Sequence, residues 1–262
     1  MARVSPKQPD LEVLTVDEMI QSVGTWYHTI ELDGRKTPGH YDMEPFVDSF
    51  RLPEDLSQTE VIDVGASNGF FSFLFERRGA RRVVATDLPK FGDHDFPGWY
   101  LERELAKRTV DDLVAHDWDE LHGGFTVSHR ILGSRVERIL TRIYDLPENC
   151  PERFDLAFCS NVFVHLRDPV GGMEAIREVL RPGGRAIFAT PVEVENGDVS
   201  AARFVGVPEL CAWWVPTSTG FARMLSMAGF DNAELVGTFE IAAQRGDPCV
   251  NTIAVMHCDR GD

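Results

Sequence analysis

The stretch Val61-Ile62-Asp63-Val64-Gly65-Ala66-Ser67-Asn68-Gly69-Phe70-Phe71 decides the fold. Four residues of strand character end on a turn holding two glycines, and an apolar run of helical spacing follows at once. Gly65 and Gly69 let the backbone turn tightly and come close to a ligand. The helix that starts after Gly69 offers free N–H groups at its first turn. A strand, a glycine turn and a helix form the opening half of a βαβ unit, so the working expectation is an α/β protein.

The same alternation continues outward. Phe70 to Arg78 reads as a helix stopped by Gly79, and Val83 to Thr86 as a second strand ending on Asp87. Arg138 to Tyr144 reads as a third strand ending on Asp145, and Phe154 to Cys159 as a fourth ending at Ser160-Asn161. A helix over about 169–180 stops at Arg181-Pro182-Gly183-Gly184, before a fifth strand from Arg185 to Thr190. After a helix at about 217–228, the last two apolar stretches, near Ala233–Phe239 and Asn251–Cys258, are joined by a loop and read as an antiparallel edge hairpin. Together they predict a Rossmann-like, doubly wound, seven-stranded and mostly parallel sheet. Ahead of it, Leu11 to Val23 reads as an amphipathic helix opened by a Thr15–Glu18 capping box, preceded by a frayed tail over residues 1–10. The expected division is an N-terminal helical and aromatic cap over residues 1–50 and a binding domain over 51–262, with an insert at about 89–134.

Composition narrows the class. Of 262 residues, 43% are hydrophobic and 26% charged, the balance of a globular chain, and the apolar runs fall short of a membrane span. The first residues lack the apolar core of a signal peptide, which predicts a cytoplasmic protein without a membrane partner. The cysteines at 150, 159, 211, 249 and 258 form no CxxC pair and read as reduced thiols. A net charge of −16 repels phosphate backbones at long range, so a small-molecule substrate is expected rather than nucleic acid, with homo-oligomerisation left open. The arginines at 77, 78, 81 and 82 and at 130, 135, 138 and 142 read as solvated faces.

Ligands on doubly wound sheets bind at the carboxyl ends of the strands. Asp87 stands 24 residues after Asp63 at the next strand end, placed to accept both hydroxyls of a ribose. Asp145 beside Leu146 suits an adenine amino group next to an apolar flank. The middle glycine of GxGxxG and the Walker lysine are both missing, which argues against a dinucleotide dehydrogenase and a P-loop NTPase.

On these residues, Asp63–Gly69 resembles the first motif of class I S-adenosylmethionine-dependent methyltransferases, with Ser67 at the middle glycine. Leu180-Arg181-Pro182-Gly183-Gly184 ahead of a strand resembles another of their signatures. The resemblance implies that Gly65 approaches the methionine part, Asp87 the ribose and Asp145 the adenine of S-adenosylmethionine. The implied cofactor site comprises Asp63, Gly65, Ala66, Ser67, Gly69, Phe71, Asp87, Leu88, Tyr144, Asp145, Leu146, Ser160 and Asn161. Trp26–Leu32, Phe163-Val164-His165 and Trp213-Trp214-Val215-Pro216 further resemble the branch that contains the tRNA wobble-uridine carboxymethyltransferase, which uses a carboxylated donor. This chain has no lysine in Trp26–Leu32, and Val164 stands where that branch carries tyrosine. Those departures favour ordinary S-adenosylmethionine and O-methylation of a sugar or secondary metabolite. The alternatives are tRNA modification and a silent donor-binding subunit.

The insert carries Phe91, Phe96, Trp99, Tyr100, Trp118 and Phe125 with four histidines, and long insertions are commonly binding loops. With Trp26–Tyr41 it is expected to roof the substrate. A hydroxyl acceptor needs a base, and His165, His28 and Tyr27 are the candidates. His94, Asp95, His116, Asp117 and Asp119 offer metal-ligand atoms, but their spacing matches no metal motif and none is assigned.

Overall fold

The computed structural model describes residues 9–194, 198–245 and 250–261. Cys249 and most of the tail expected to fray lie outside the described residues. The N-terminal part holds α1 (Val16–Gln21) and the small β1 (Glu31–Leu32)–β2 (Arg35–Lys36) hairpin, and then the strand–helix alternation begins. It runs β3 (Glu60–Val64), α2 (Phe70–Arg77), β4 (Arg82–Asp87), α3 (Gly98–Leu105), α4 (Val110–Asp117), α5 (Gly123–Leu132), β5 (Glu137–Leu140), α6 (Leu146–Asn149), β6 (Phe154–Ser160), α7 (Pro169–Val179) and β7 (Leu180–Pro191). The chain closes with β8 (Ala202–Val207), β9 (Ala212–Pro216), α8 (Ser218–Met227), β10 (Phe230–Ala242) and β11 (Val250–Arg260).

Seven strands form one sheet in the order β10-β11-β7-β6-β3-β4-β5. Strands β7, β6, β3, β4 and β5 are parallel, and β11 and β10 add antiparallel at one edge. The Rossmann-like expectation holds. The chain winds outward from β3 to β5 in one direction and from β6 to β7 in the other, so the connections that leave the carboxyl ends of the paired strands β3 and β6 part and leave a crevice.

Two cores follow from the alternation of side chains along the strands. On one face Val61 and Phe158 pack with Phe71, Phe73 and Phe75 of α2, Phe125 of α5, and Trp26, Met43 and Phe50 from the N-terminal segment. On the other, Ile62, Val64 and Phe188 pack with Met173, Ile176 and Phe221 of α7 and α8.

Several expected boundaries move. The first helix shortens to Val16–Gln21, but its capping box forms, with Glu18 N–H donating to Thr15 Oγ1 and the Glu18 carboxylate accepting from Thr15 N–H. The third strand stops at Leu140 rather than Tyr144. There Thr141 N–H bonds the Asp87 carbonyl at 2.8 Å and the chain turns through a 3-10 segment, Ile143–Asp145, that buries Leu146 completely. Strand β7 begins earlier than expected, because Leu180 already pairs with Phe154 before the Arg181–Gly184 irregularity. The insert is helical, and its last part, α5, is the crossover helix of the fold. The β8–β9 hairpin went unread because its strands alternate weakly and one face stays exposed.

Candidate functional site

A cavity opens at the carboxyl ends of β3 and β6. Its wall takes Asp63–Ser67 and Phe71 from the first strand–helix turn, Thr86–Leu88 from the end of β4, and Thr141–Tyr144 from beyond β5. Phe158 and Ser160–Val162 come from β6, with His165 and Leu166 from the short turn after it. The N-terminal segment adds Thr25, Tyr27 and His28, and the insert adds Asp93–Asp95, Glu120 and Leu121.

The glycine turn is built tightly. Gly65 and Ala66 N–H both donate to the Thr86 carbonyl, at 2.9 and 3.0 Å, which fixes the turn against β4. Gly65 has φ +74°, and a Cβ there would stand 2.3 Å from Val162 Cγ2. Gly65→Ala is therefore expected to destabilise the protein by about 1–3 kcal/mol and to weaken binding of any ligand in the cavity, read by thermal melting and titration. Wild-type values in both would contradict this reading of the turn. Ser67 (φ +51°) and Asn161 (φ +59°) also hold left-handed backbone, a costly conformation that clusters at functional sites.

Asp87 is oriented from two sides: Ser67 N–H donates to Oδ2 at 2.7 Å and Leu88 N–H to Oδ1 at 2.8 Å. Asp87 lines the cavity, and each oxygen keeps lone-pair capacity for a further donor. Asp63 is 2% exposed and accepts from Ser72 Oγ at 2.5 Å. Burial, with the Asp87 charge adding, pushes its carboxyl up to about 7. A carboxyl raised in the folded state favours folding below its unfolded value near 3.8, and that advantage is lost as pH rises through about 7. Asp63→Asn should thus stabilise the ligand-free protein at pH 8 by up to about 4 kcal/mol and change little at pH 4. Denaturant melts at both pH values test this, and a variant less stable than wild type at pH 8 would refute it.

Asn68, which was missed from sequence, clips the N-terminal segment onto the site. Its buried Oδ1 accepts from Tyr27 N–H at 2.5 Å and His28 N–H at 3.1 Å. His28 is 5% exposed among Phe70, Phe71 and Tyr27 rings, and burial lowers its pKa to about 3. Burial and the neighbouring Tyr41 raise the Tyr27 phenol above its ordinary range. His165 is also lowered, by burial and then by the nearby His94 charge, while Leu210 and Cys211 carbonyls oppose the shift.

Of the predicted residues, Gly69, Asp145 and Leu146 do not line the cavity. Gly69 instead caps α2 with φ +88° against the Phe73 and Phe125 rings, and Leu146 is core. Thr141, Arg142 and Ile143 occupy the wall beyond β5 where Asp145 was expected. The insert's aromatic side chains are absent from the wall, with Trp118 and Phe125 in the core and Trp99 exposed. Among the described residues, no group of three or more His, Cys, Asp or Glu side chains could hold a metal ion, and no helix is long and apolar enough to cross a membrane.

The wall fits an adenosyl sulfonium donor. On it His28 Nδ1, Ser160 Oγ and Asn161 Oδ1 are buried without a hydrogen-bond partner among the described residues, and such atoms ordinarily find one. Among the described residues its carboxyl groups are Asp63, Asp87, Asp93, Asp95 and Glu120, against one guanidinium, Arg142, which is itself 3.2 Å from Asp95.

A family profile described as a methyltransferase domain matches residues 38–235. The tRNA U34 carboxymethyltransferase of Pseudomonas putida (strain W619) is 27% identical over 188 residues, covering 70% of this chain and 48% of that protein. The protein of the same name from Pseudomonas paraeruginosa (strain DSM 24068 / PA7) is 29% identical over 190 residues, with the same coverage of 70% and 48%. The chain spans about half the length of these relatives. Among solved structures, the N-terminal domain of EvdMO1, crystallised in the presence of SAH and D-fucose, superposes with a TM-score of 0.59 at 15% identity, covering 94% of this chain and 96% of that one. The YcgJ protein from Bacillus subtilis gives 0.55 at 10% identity, covering 84% and 100%. At such identities these structures share the fold alone.

Proposed function

The chain belongs to the methyltransferase domain family and is an S-adenosylmethionine-dependent enzyme, and from that premise we propose that it methylates a hydroxyl of a small molecule, a sugar or a secondary metabolite. The observation that carries this reading is the charge of the cavity wall. Of its five carboxyl groups, Asp63 is raised to about 7 and Asp95 is paired with Arg142; the remaining Asp87, Asp93 and Glu120 attract a sulfonium with its ammonium group and oppose the added carboxylate of a carboxylated donor or a polyphosphate acceptor.

Asp87 takes the ribose hydroxyls. Gly65–Ser67 and Asp63 meet the methionine part, Leu88 and Ile143 flank the adenine, and Ser160 and Asn161 supply acceptors near the sulfonium. The donor brings an activated methyl group, so the protein's task is to align the acceptor and remove its proton. His165 Nε2 takes that proton as the oxygen–carbon bond forms and the carbon–sulfur bond breaks. The N-terminal cap and the insert roof the reaction.

A second reading is favoured by the relatives named tRNA U34 carboxymethyltransferase. It would place a nucleic acid in the acceptor role and a carboxylated donor in the cavity. Isothermal titration with S-adenosylmethionine and with its carboxylated form separates the two. Tighter binding of S-adenosylmethionine is expected; equal or tighter binding of the carboxylated form would overturn the first reading in favour of the second.

A further inference from the structure

His165 is oriented from outside the main sheet. Its Nδ1 lies 3.1 Å from the carbonyl oxygen of Leu210 and 3.3 Å from that of Cys211. Carbonyl oxygens only accept, so Nδ1 carries the hydrogen and Nε2 keeps the lone pair. Two successive carbonyls converge on one ring nitrogen where Cys211 is left-handed, with φ +48°. For a residue other than glycine that conformation costs on the order of 1 kcal/mol and persists only where its surroundings impose it.

The surroundings are the β8–β9 hairpin and its anchors. Cys211 is 3% exposed and its Sγ donates to the His165 carbonyl at 3.6 Å. Trp213 Nε1 donates to the Asp95 carbonyl at 2.9 Å, and Trp214 Nε1 to the Arg167 carbonyl at 3.2 Å. The Arg167 guanidinium lies over the Trp213 ring at 4.8 Å. Asp95 is itself immobilised: its carboxylate accepts from Tyr144 OH at 2.6 Å, from Arg167 N–H at 2.8 Å and from the Arg142 guanidinium at 3.2 Å. A two-stranded hairpin is marginal by itself, and this one leaves Phe204 and Leu210 exposed, so its polar ties matter more than its apolar contacts.

We propose that the β8–β9 hairpin sets the tautomer of His165, with Trp213 and Asp95 as positioning residues that act through the carbonyls of Leu210 and Cys211. The proposal rests on the assignment of His165 as base. It explains why a hairpin outside the sheet carries two indoles whose N–H groups both end on backbone carbonyls, one in the insert and one beside His165. Without the hairpin, the imidazole would be free to protonate Nε2 instead and present a donor where an acceptor is needed.

The test is long-range nitrogen–proton correlation NMR of histidine-labelled protein saturated with S-adenosylhomocysteine at about pH 8, where the imidazole is neutral. Wild type should show His165 with its hydrogen on Nδ1. Trp213→Phe, which keeps the ring and removes the donor, should mix the two tautomers, leave S-adenosylhomocysteine affinity unchanged, and lower turnover about tenfold on any acceptor that wild type methylates. A hydrogen on Nε2 in wild type would overturn the proposal whatever the variant does. So would a Trp213→Phe protein with the wild-type tautomer. Full turnover in His165→Ala would instead remove the base assignment, leaving the tautomer measurement to decide the hairpin's role.

Discussion

Replacing His165 with alanine is expected to cut methyl transfer by about 10²- to 10⁴-fold, the contribution of a positioned general base, while leaving donor affinity within about twofold. The three candidate bases differ in what their surroundings allow. Tyr27 is held above the ordinary phenol range and stays protonated, so it cannot serve as the base. His28 is neutral, but a pKa near 3 gives little driving force for proton transfer at neutral pH. His165 lines the cavity with Nδ1 occupied by carbonyls, and no described residue hydrogen-bonds its Nε2. Single-turnover transfer of a labelled methyl group measures the loss, and His28→Ala should lose less. Undiminished transfer by His165→Ala would remove it from the chemistry.

Asp87→Ala should weaken S-adenosylmethionine by at least about 100-fold. The ribose hydroxyls would lose two hydrogen bonds to a charged acceptor, each worth about 1.5–3 kcal/mol. The loss extends beyond the ligand. The Ser67 N–H that now donates to Oδ2 would lose its partner, and Ser67 sits at φ +51°, so the glycine turn itself would loosen. Calorimetric titration reads the effect directly. An affinity within threefold of wild type, against the loss of at least about 100-fold set by those bonds, would show that Asp87 does not meet the ribose.

Much of this was legible in the sequence because it depends on local chemistry. Strand β3, its turn and α2 are marked by an apolar run, two glycines and a helix stop, and the structure moves their limits by only one residue. Asp87 was legible because a buried strand must end where the chain meets solvent. The misreadings have a common physical origin in long-range contact. Arg138 to Tyr144 is apolar enough for a strand, yet the strand ends where Thr141 bonds the Asp87 carbonyl, and the cavity wall there passes to Thr141–Tyr144. Asn68 looks like an ordinary turn residue, and only its partner 40 residues upstream reveals its clip on His28. The hairpin carrying Trp213 has little apolar alternation, because one of its faces is solvated and its ties are hydrogen bonds to backbone carbonyls.

Acceptor identity turns on electrostatics at two scales. Over the whole chain 42 acidic side chains face 26 basic ones, and the cavity wall repeats that imbalance. Both oppose a polyphosphate acceptor, while the relatives' tRNA U34 carboxymethyltransferase name points the other way. The most direct measurement is the partition of label from methyl-tritiated S-adenosylmethionine between low-molecular-weight metabolites and bulk tRNA, with His165→Ala as control. Label is expected in the small-molecule fraction and should disappear in the variant. Label accumulating in tRNA, with none in the small-molecule fraction, would contradict the small-molecule reading.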